Sequence, residues 1–348
     1  MLKLDALKSH YERFPYPQAP IFAKARPDRI ALLNYRAGIA ACFGSTRFAK
    51  EKPRILVAGC GTVEPIAIAL ANPKAEIVAI DLSEASIRSL KRKLFLHRLT
   101  KRVGAMQGDL LALPSMLGNF DYIVATGVLH HLPDPSAGLH ALEQRLAPGG
   151  IVRLMLYSTQ GREWIERLRD WRITLNIKSR KELESALAAL PATHPFRITY
   201  ALHSDVKSES GLRDAFFHVQ EKSFDALEMA AFLGSAGLEA RRFLHRTGGQ
   251  PNSILPHGAQ LSDWEKIAVL DRLHALEENF VFFATRKFEP FQQSTADFEW
   301  NEAVAKLLGK KVWSHLLEKE VLLSRRAIPK EVEELESALY LLRAGGSA

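Results

Sequence analysis

The stretch that most constrains this chain is Ile55-Leu56-Val57-Ala58-Gly59-Cys60-Gly61-Thr62-Val63-Glu64-Pro65. Its four leading apolar residues read as a buried parallel strand, covered on both faces. Two glycines, one residue apart, then turn the chain. Pro65 fits the first position of a helix, where a missing N–H costs nothing. A strand, a glycine turn and a helix N-terminus together suit a nucleotide-like ligand, because glycines allow close backbone approach and free helix N–H groups face the site. The same pattern also serves as a plain tight turn, so the rest of the chain must decide.

Glu64 narrows the choice of ligand. A dinucleotide fingerprint places a third small residue there, beside a pyrophosphate that a carboxylate would repel. S-adenosylmethionine (SAM) has no phosphate and carries a sulfonium and an ammonium, so an acid is tolerated. A Walker loop is excluded, since no Lys-Ser/Thr follows the glycines.

Residues 51–158 alternate apolar strand patterns with helical ones across short turns, the mark of a parallel doubly wound sheet. Strands are expected at 55–58, 76–80, 103–106, 120–125 and 151–156, with helices near 65–71, 84–99 and 136–146. Asp81 ends the second strand, 20 residues after Gly61. A carboxylate there accepts ribose hydroxyls, or else Asp81 or Ser83 caps the next helix. Gln107-Gly108-Asp109-Leu110 follows the third strand and offers a carboxylate to an adenine amino group, or a polar turn. The fourth strand runs into Thr126-Gly127 and then the paired His130-His131. Ligands in open parallel sheets bind beyond the carboxyl ends of the strands, which aligns all these residues along one rim.

Taken in order, AGCGT, the acid of AID, QGDLLALP, FDYIVATGVLHHLPDP and LAPGG resemble the motifs of class I SAM-dependent methyltransferases over residues 52–158. The resemblance implies an α/β fold with a doubly wound, Rossmann-like seven-stranded sheet of order 3-2-1-4-5-7-6, its last strand antiparallel. It implies SAM as cofactor, with Gly59 and Gly61 beside the methionine moiety, Asp81 on the ribose, and Asp109 and Leu110 beside the adenine. Cys60, Glu64, Leu82, Thr126 and Gly127 complete the expected cofactor-binding set. Two positions depart from the family pattern: Val57 stands where an acid is usual, and Val63 replaces the third glycine. Glu64 is the candidate to meet the cofactor's ammonium instead.

Outside this core the chain divides into a helical N-terminal arm (1–50), a methyltransferase domain (51–288) with an inserted substrate lid (159–223), and a helical tail (289–348). The arm includes a helix over 30–43 and the proline-rich aromatic run from Tyr11 to Pro20, either a strap on the core or a lid over the ligand. Asp214-Ala215-Phe216-Phe217-His218 reads as a loop, either contacting substrate or packing its rings in the core beside a surface histidine. The last strands are expected at 238–244 and 280–285, separated by a polar excursion from Arg246 to Asp263.

The acceptor class stays open. His130, His131 and His218 are the candidate catalytic residues, with Asp214 and Tyr16 as further bases; histidine titrates near neutrality without much tuning. No HExxH or cysteine cluster occurs, so no metal is expected. An Asn-Pro-Pro-Tyr motif is absent after the fourth strand, which disfavours amino-group methylation of adenine or glutamine. The net charge of +8 permits RNA or a protein surface as acceptor. The basic run from Arg88 to Arg102, however, has no interleaved aromatics to stack on bases and reads better as a solvated helix face. A small molecule or a peptide side chain is the favoured acceptor, and a SAM-binding regulator without turnover is the third reading. Two cysteines, no apolar leader and no run of about 20 apolar residues point to a cytoplasmic protein without a membrane span.

Overall fold

In the computed structural model, described for residues 2–19, 33–43, 46–244, 260–274, 276 and 279–287, the expected apolar runs pair into one sheet. The strands are β1 (Arg54–Ala58), β2 (Glu76–Asp81), β3 (Val103–Gln107), β4 (Phe120–Thr126), β5 (Leu146–Tyr157), β6 (Leu238–Phe243) and β7 (Asn279–Arg286). Their order is β3-β2-β1-β4-β5-β7-β6. The first five are mutually parallel, while β7 runs antiparallel to both β5 and β6. Strand order reverses between β1 and β4, where Ile55 lies between Ile77 and Tyr122. A ligand crevice opens at such a reversal, beyond the strands' carboxyl ends.

The pleat sends alternate residues of β1 to opposite layers. Ile55 and Val57 join a core with helices Tyr35–Phe43, Glu64–Ala71 and Glu84–Leu96. Leu56 and Ala58 join the other, with helices Pro135–Glu143, Ala226–Ser235 and Asp263–Arg272. The insertion has its own smaller core, in which Ile165, Leu168, Leu183 and Phe216 are buried.

Several expected boundaries move. Glu64 opens the helix after the glycine turn, leaving Pro65 at its second position. The helix expected to reach residue 99 ends at Leu96, and Arg98 takes a left-handed φ of 55°. The helix expected to reach Leu146 stops at Glu143, because Phe120 N–H bonds Arg145 O at 2.8 Å and Leu146 already pairs with Phe120. Pro148-Gly149-Gly150 therefore sits inside the range of β5. The helix expected over 30–43 begins only at Tyr35, after the described Leu33 and Asn34, and Asn34 Oδ1 accepts from Ala37 N–H at 2.9 Å in its first turn; residues 30–32 lie outside the described residues. Residues 246–259 of the excursion expected from Arg246 to Asp263, and the helical tail expected at 289–348, lie outside the described residues.

The helix behind the glycine turn is anchored at its far end by Asn72. Its Oδ1 accepts from Tyr35 N–H at 2.8 Å, and its Nδ2 donates to Leu33 O (3.0 Å) and Ile68 O (2.8 Å). Asn72→Ala would take the side-chain partner from Tyr35 N–H and Leu33 O, while Ile68 O keeps the backbone N–H of residue 72, at about 2–4 kcal/mol in total. A lower urea midpoint with an unchanged m-value is expected; a midpoint equal to wild type would dismiss the clasp.

Candidate active site

Gly59 and Gly61 adopt φ of 63° and 54°, the left-handed region that favours glycine. Space enforces the same choice. A Cβ at 59 would lie 2.4 Å from Val128 Cγ2, and one at 61 would lie 2.6 Å from the carbonyl oxygen of Tyr16. The turn is tied to β2 by Cys60 N–H, which donates to Ile80 O at 2.9 Å. Gly61 N–H donates to Asp81 Oδ2 at 2.7 Å. The other carboxylate oxygen accepts from Ser83 N–H at 2.9 Å, while Ser83 Oγ itself caps the next helix through Ser86 N–H. Asp81 is therefore not the helix cap. Asp109 accepts from Leu111 N–H at 2.9 Å and caps one 3-10 turn. At the end of β4, Thr126 Oγ1 donates to Glu64 Oε1 at 2.6 Å and accepts from Arg153 Nη1 at 2.9 Å.

These groups surround a cavity of about 420 Å³, within the usual range for small-molecule sites. All ten residues expected to bind cofactor line it: Gly59, Cys60, Gly61, Glu64, Asp81, Leu82, Asp109, Leu110, Thr126 and Gly127. Four carboxylates face it (Glu64, Asp81, Asp109 and Asp214), and among the described residues no Lys or Arg does. Burial pushes the Glu64 carboxyl up, against the pull of Arg153 and of the Thr126 hydrogen bond. It also raises Asp81, against hydrogen bonds from Ser83 and Gly61. Buried carboxylates held in this way are eased by a cationic ligand. The donor set thus fits a ligand carrying a sulfonium and an ammonium, and repels a pyrophosphate. Val57 is fully buried in the core and does not line the cavity, so Glu64 is the acid on this side. Burial raises the Cys60 thiol well above its ordinary range, as do Asp81 and Glu64, which keeps it protonated.

The arm roofs the cavity. Leu4, Leu7, Tyr11, Tyr16 and Pro17 line it. Thr62 Oγ1 donates to Pro17 O at 2.5 Å, and Ser83 Oγ to Tyr11 O at 3.1 Å. The Glu12 carboxylate accepts from the N–H groups of Glu84 and Ala85 at the start of the following helix. On the insertion side, Tyr11 Oη donates to Asp214 Oδ1 at 2.9 Å and Tyr16 Oη to Asp205 Oδ1 at 3.3 Å.

The three candidate catalytic histidines have different positions. His131 lines the cavity, with Nδ1 at 3.1 Å from Gln220 O. His130 lies outside the lining, fully buried and stacked on the Tyr157 ring at 3.6 Å. His218 is buried behind Tyr11 and His131 and does not reach the cavity either. It is thus no surface histidine, and Asp214–Phe217 form the last turn of helix Glu209–Phe217 rather than a loop, with Phe216 in the insertion's core. Burial lowers all three imidazoles, leaving them neutral. Asp214 is pushed up to about 7, chiefly by burial. His10, Asp214 and His218 bring ligand atoms within 4.8 Å of one another. Both nitrogens of His218 are nevertheless engaged in hydrogen bonds, Nδ1 by Gln220 N–H and Nε2 by Tyr11 Oη. No motif marked Tyr157, Met155, Leu4 or Leu7. Tyr157, at the carboxyl end of β5, was within reach of the rim rule; Leu4 and Leu7 arrive from a helix with no motif.

The glycine turn and the acid at the end of β2 are common to nucleotide-binding sheets; the order β3-β2-β1-β4-β5-β7-β6 with β7 antiparallel, and Glu64 in the turn, match what the resemblance to class I SAM-dependent methyltransferases implies. Residues 56–152 match a family model described as a methyltransferase domain. A relative in Synechococcus sp., itself uncharacterized, is 28% identical over 332 residues, covering 90% of this chain and 78% of its own. A ubiquinone biosynthesis O-methyltransferase of Alkalilimnicola ehrlichii is 31% identical over 127 residues, covering 36% of this chain and 47% of its own. PKMT2 from Rickettsia typhi shares the fold, with a TM-score of 0.62 at 17% identity over 77% of this chain and 55% of that one. This chain thus spans about half the length of the last two. Residues 56–152 thus carry a methyltransferase domain of the class I SAM-dependent kind, with S-adenosylmethionine as its cofactor.

Asp81→Ala would remove a ligand acceptor and the partner of Gly61 N–H together. At about 1.5–3 kcal/mol per charge-assisted bond, less non-additivity, SAM affinity should fall about 30- to 1000-fold by calorimetry. An affinity within threefold of wild type would break the assignment.

Asp214 generates a pH effect on stability. Its folded value, about 7, lies above that of the unfolded chain, so the folded state holds the proton more tightly. That contribution is complete below about pH 4 and is lost as pH rises through about 7. Asp214→Asn removes it. The melting temperature of wild type relative to the variant should therefore drop steadily from pH 4 to 7; a constant difference would contradict the raised value.

Proposed function

We propose that this methyltransferase acts on a small molecule, or on a single side chain of a peptide, at an oxygen that reaches His131 beneath the arm. The observation that carries this reading is the roof. The Tyr16 carbonyl lies against Gly61, and Tyr11 and Tyr16 bond across the cavity to the insertion. An acceptor must fit under it. The basic run supports an RNA stripe poorly: Lys93 is buried and donates to Thr62 Oγ1, Arg102 donates to the carbonyls of Ala69 and Asn72, and Arg88 pairs with Glu84. The relatives named O-methyltransferases favour oxygen as the accepting atom. We assign residues 1–50 as arm and lid, 51–288 as the catalytic domain with its lid insertion 159–223, and 289–348 as an accessory segment. Among the described residues no helix is long and apolar enough to cross a membrane. The free cysteines Cys42 and Cys60 support a reducing, cytoplasmic setting.

Bound SAM supplies an electrophilic methyl, whose bond to sulfur breaks as its bond to the acceptor oxygen forms. In this reading Glu64 faces the ammonium, Asp81 the ribose and Asp109 the adenine. Tyr11, Tyr16, Tyr157 and Leu132 hold the acceptor in line, which is the protein's main contribution. His131 takes the hydroxyl proton. The imidazolium so formed replaces the positive charge that the transfer consumes, so the buried site gains no net charge. A neutral imidazole lining the cavity favours turnover over a purely regulatory role.

Labelled methyl from SAM, traced into extract fractions at several salt concentrations, tests the acceptor class. Label should enter the low-molecular-weight or peptide fraction with little salt dependence. Label in RNA that falls steeply with salt would overturn the proposal. For His131→Ala, SAM affinity should stay within about threefold and turnover should fall about 100-fold or more, the scale of a general base; full turnover would remove that role.

A further inference from the structure

The segment after helix Glu209–Phe217 lies against the paired histidines through its backbone. Lys222 N–H donates to His130 O at 2.8 Å. Gln220 makes two contacts with opposite chemistry: its N–H donates to His218 Nδ1 at 3.0 Å, and its carbonyl oxygen lies 3.1 Å from His131 Nδ1.

These two bonds determine where the protons are. A carbonyl only accepts, so His131 Nδ1 carries hydrogen. A backbone N–H only donates, so His218 Nδ1 carries a lone pair. A neutral imidazole has one ring proton. His131 is thus left with a lone pair at Nε2, and His218 with an N–H at Nε2. That N–H lies 3.2 Å from Tyr11 Oη, whose own proton goes to Asp214 Oδ1 at 2.9 Å. The two rings sit 3.9 Å apart, centroid to centroid, yet hold opposite tautomers. His131, Tyr11 and Asp214 line the cavity; His218 and the Gln220 backbone stand behind them.

We propose that the backbone of Gln220, through its N–H and its carbonyl, is the tautomer selector of this site. Its carbonyl presents His131 Nε2 as a proton acceptor, and its N–H makes His218 the donor that aims the Tyr11 hydroxyl at Asp214. An acceptor molecule therefore meets a row of groups that accept hydrogen: His131 Nε2, the remaining lone pair of Tyr11 Oη, and the Asp214 carboxylate. This row selects a reacting atom that still bears its hydrogen, and one with a neighbouring hydroxyl or amine to satisfy Tyr11 or Asp214. Gln220 is a positioning residue, acting through its backbone. The inference deepens the role proposed for His131 and rests on it for its catalytic meaning, but the tautomers themselves are read without any assay of turnover.

The test is two-bond ¹H–¹⁵N correlation on protein with ¹⁵N-labelled histidine at pH 7.5, with His131→Asn and His218→Asn assigning the two rings. Wild type should show His131 protonated at Nδ1 only and His218 at Nε2 only. Gln220→Ala, which keeps both backbone groups, should keep both tautomers. Gln220→Pro, which compared with Gln220→Ala loses the N–H and keeps the carbonyl, should shift His218 toward the Nδ1–H form and leave His131 as it was. The two rings sharing one tautomer in wild type, or either being doubly protonated, would overturn the proposal, and that reading stands even if the proline variant does not fold. Opposite tautomers together with full turnover of His131→Ala would uphold the selector and remove the base.

Discussion

The hydrogen bond from Gly61 N–H to the Asp81 carboxylate is the contact on which the site depends. It joins the end of β1 to the end of β2, side by side in the sheet but separated by a whole helix in sequence. The same carboxylate takes Ser83 N–H and so sets where the next helix begins. One acid thus fixes the glycine turn and the start of the neighbouring helix, and still faces the cavity. This economy is available because parallel strands end at a common rim, where loop backbone groups lack ladder partners.

Much of this was legible in sequence. The central strand runs are apolar on both faces, so their existence followed from composition and turn residues, whereas the sheet order followed from the resemblance to methyltransferases. The glycine pair, Asp81 and Asp109 were legible because a ligand at a sheet rim needs particular atoms at strand ends. Boundaries were less so. Glu143 ends its helix because Leu146 has already been taken into the sheet by Phe120, a long-range pairing that local periodicity does not contain. Asp214 was expected in a loop, but the insertion's small core, centred on Phe216 and Leu168, winds it into a helix.

The histidines show where motif reading ends. His130 and His131 are neighbours in sequence, yet one stacks behind Tyr157 and the other faces the cavity. Alternation along a short 3-10 turn separates them. Their electrostatic setting was equally hidden. A chain with net charge +8 builds a cavity lined by four carboxylates and, among the described residues, no Lys or Arg. Net charge describes the exterior that partners first meet, whereas the cavity wall decides what stays.

The roof has a consequence for how this protein is made. Tyr11 leaves the ribosome well before its partner Asp214, which comes 203 residues later. Folding during synthesis can assemble β1 to β5 and their helices early. The cavity they border stays open on the arm's side until the insertion has been translated and packed. A nascent or truncated chain ending before the insertion would own every glycine and acid of the rim and still lack an enclosed chamber. Closure thus waits on the insertion, and it couples the competence of the site to completion of a segment far from the motifs that define it.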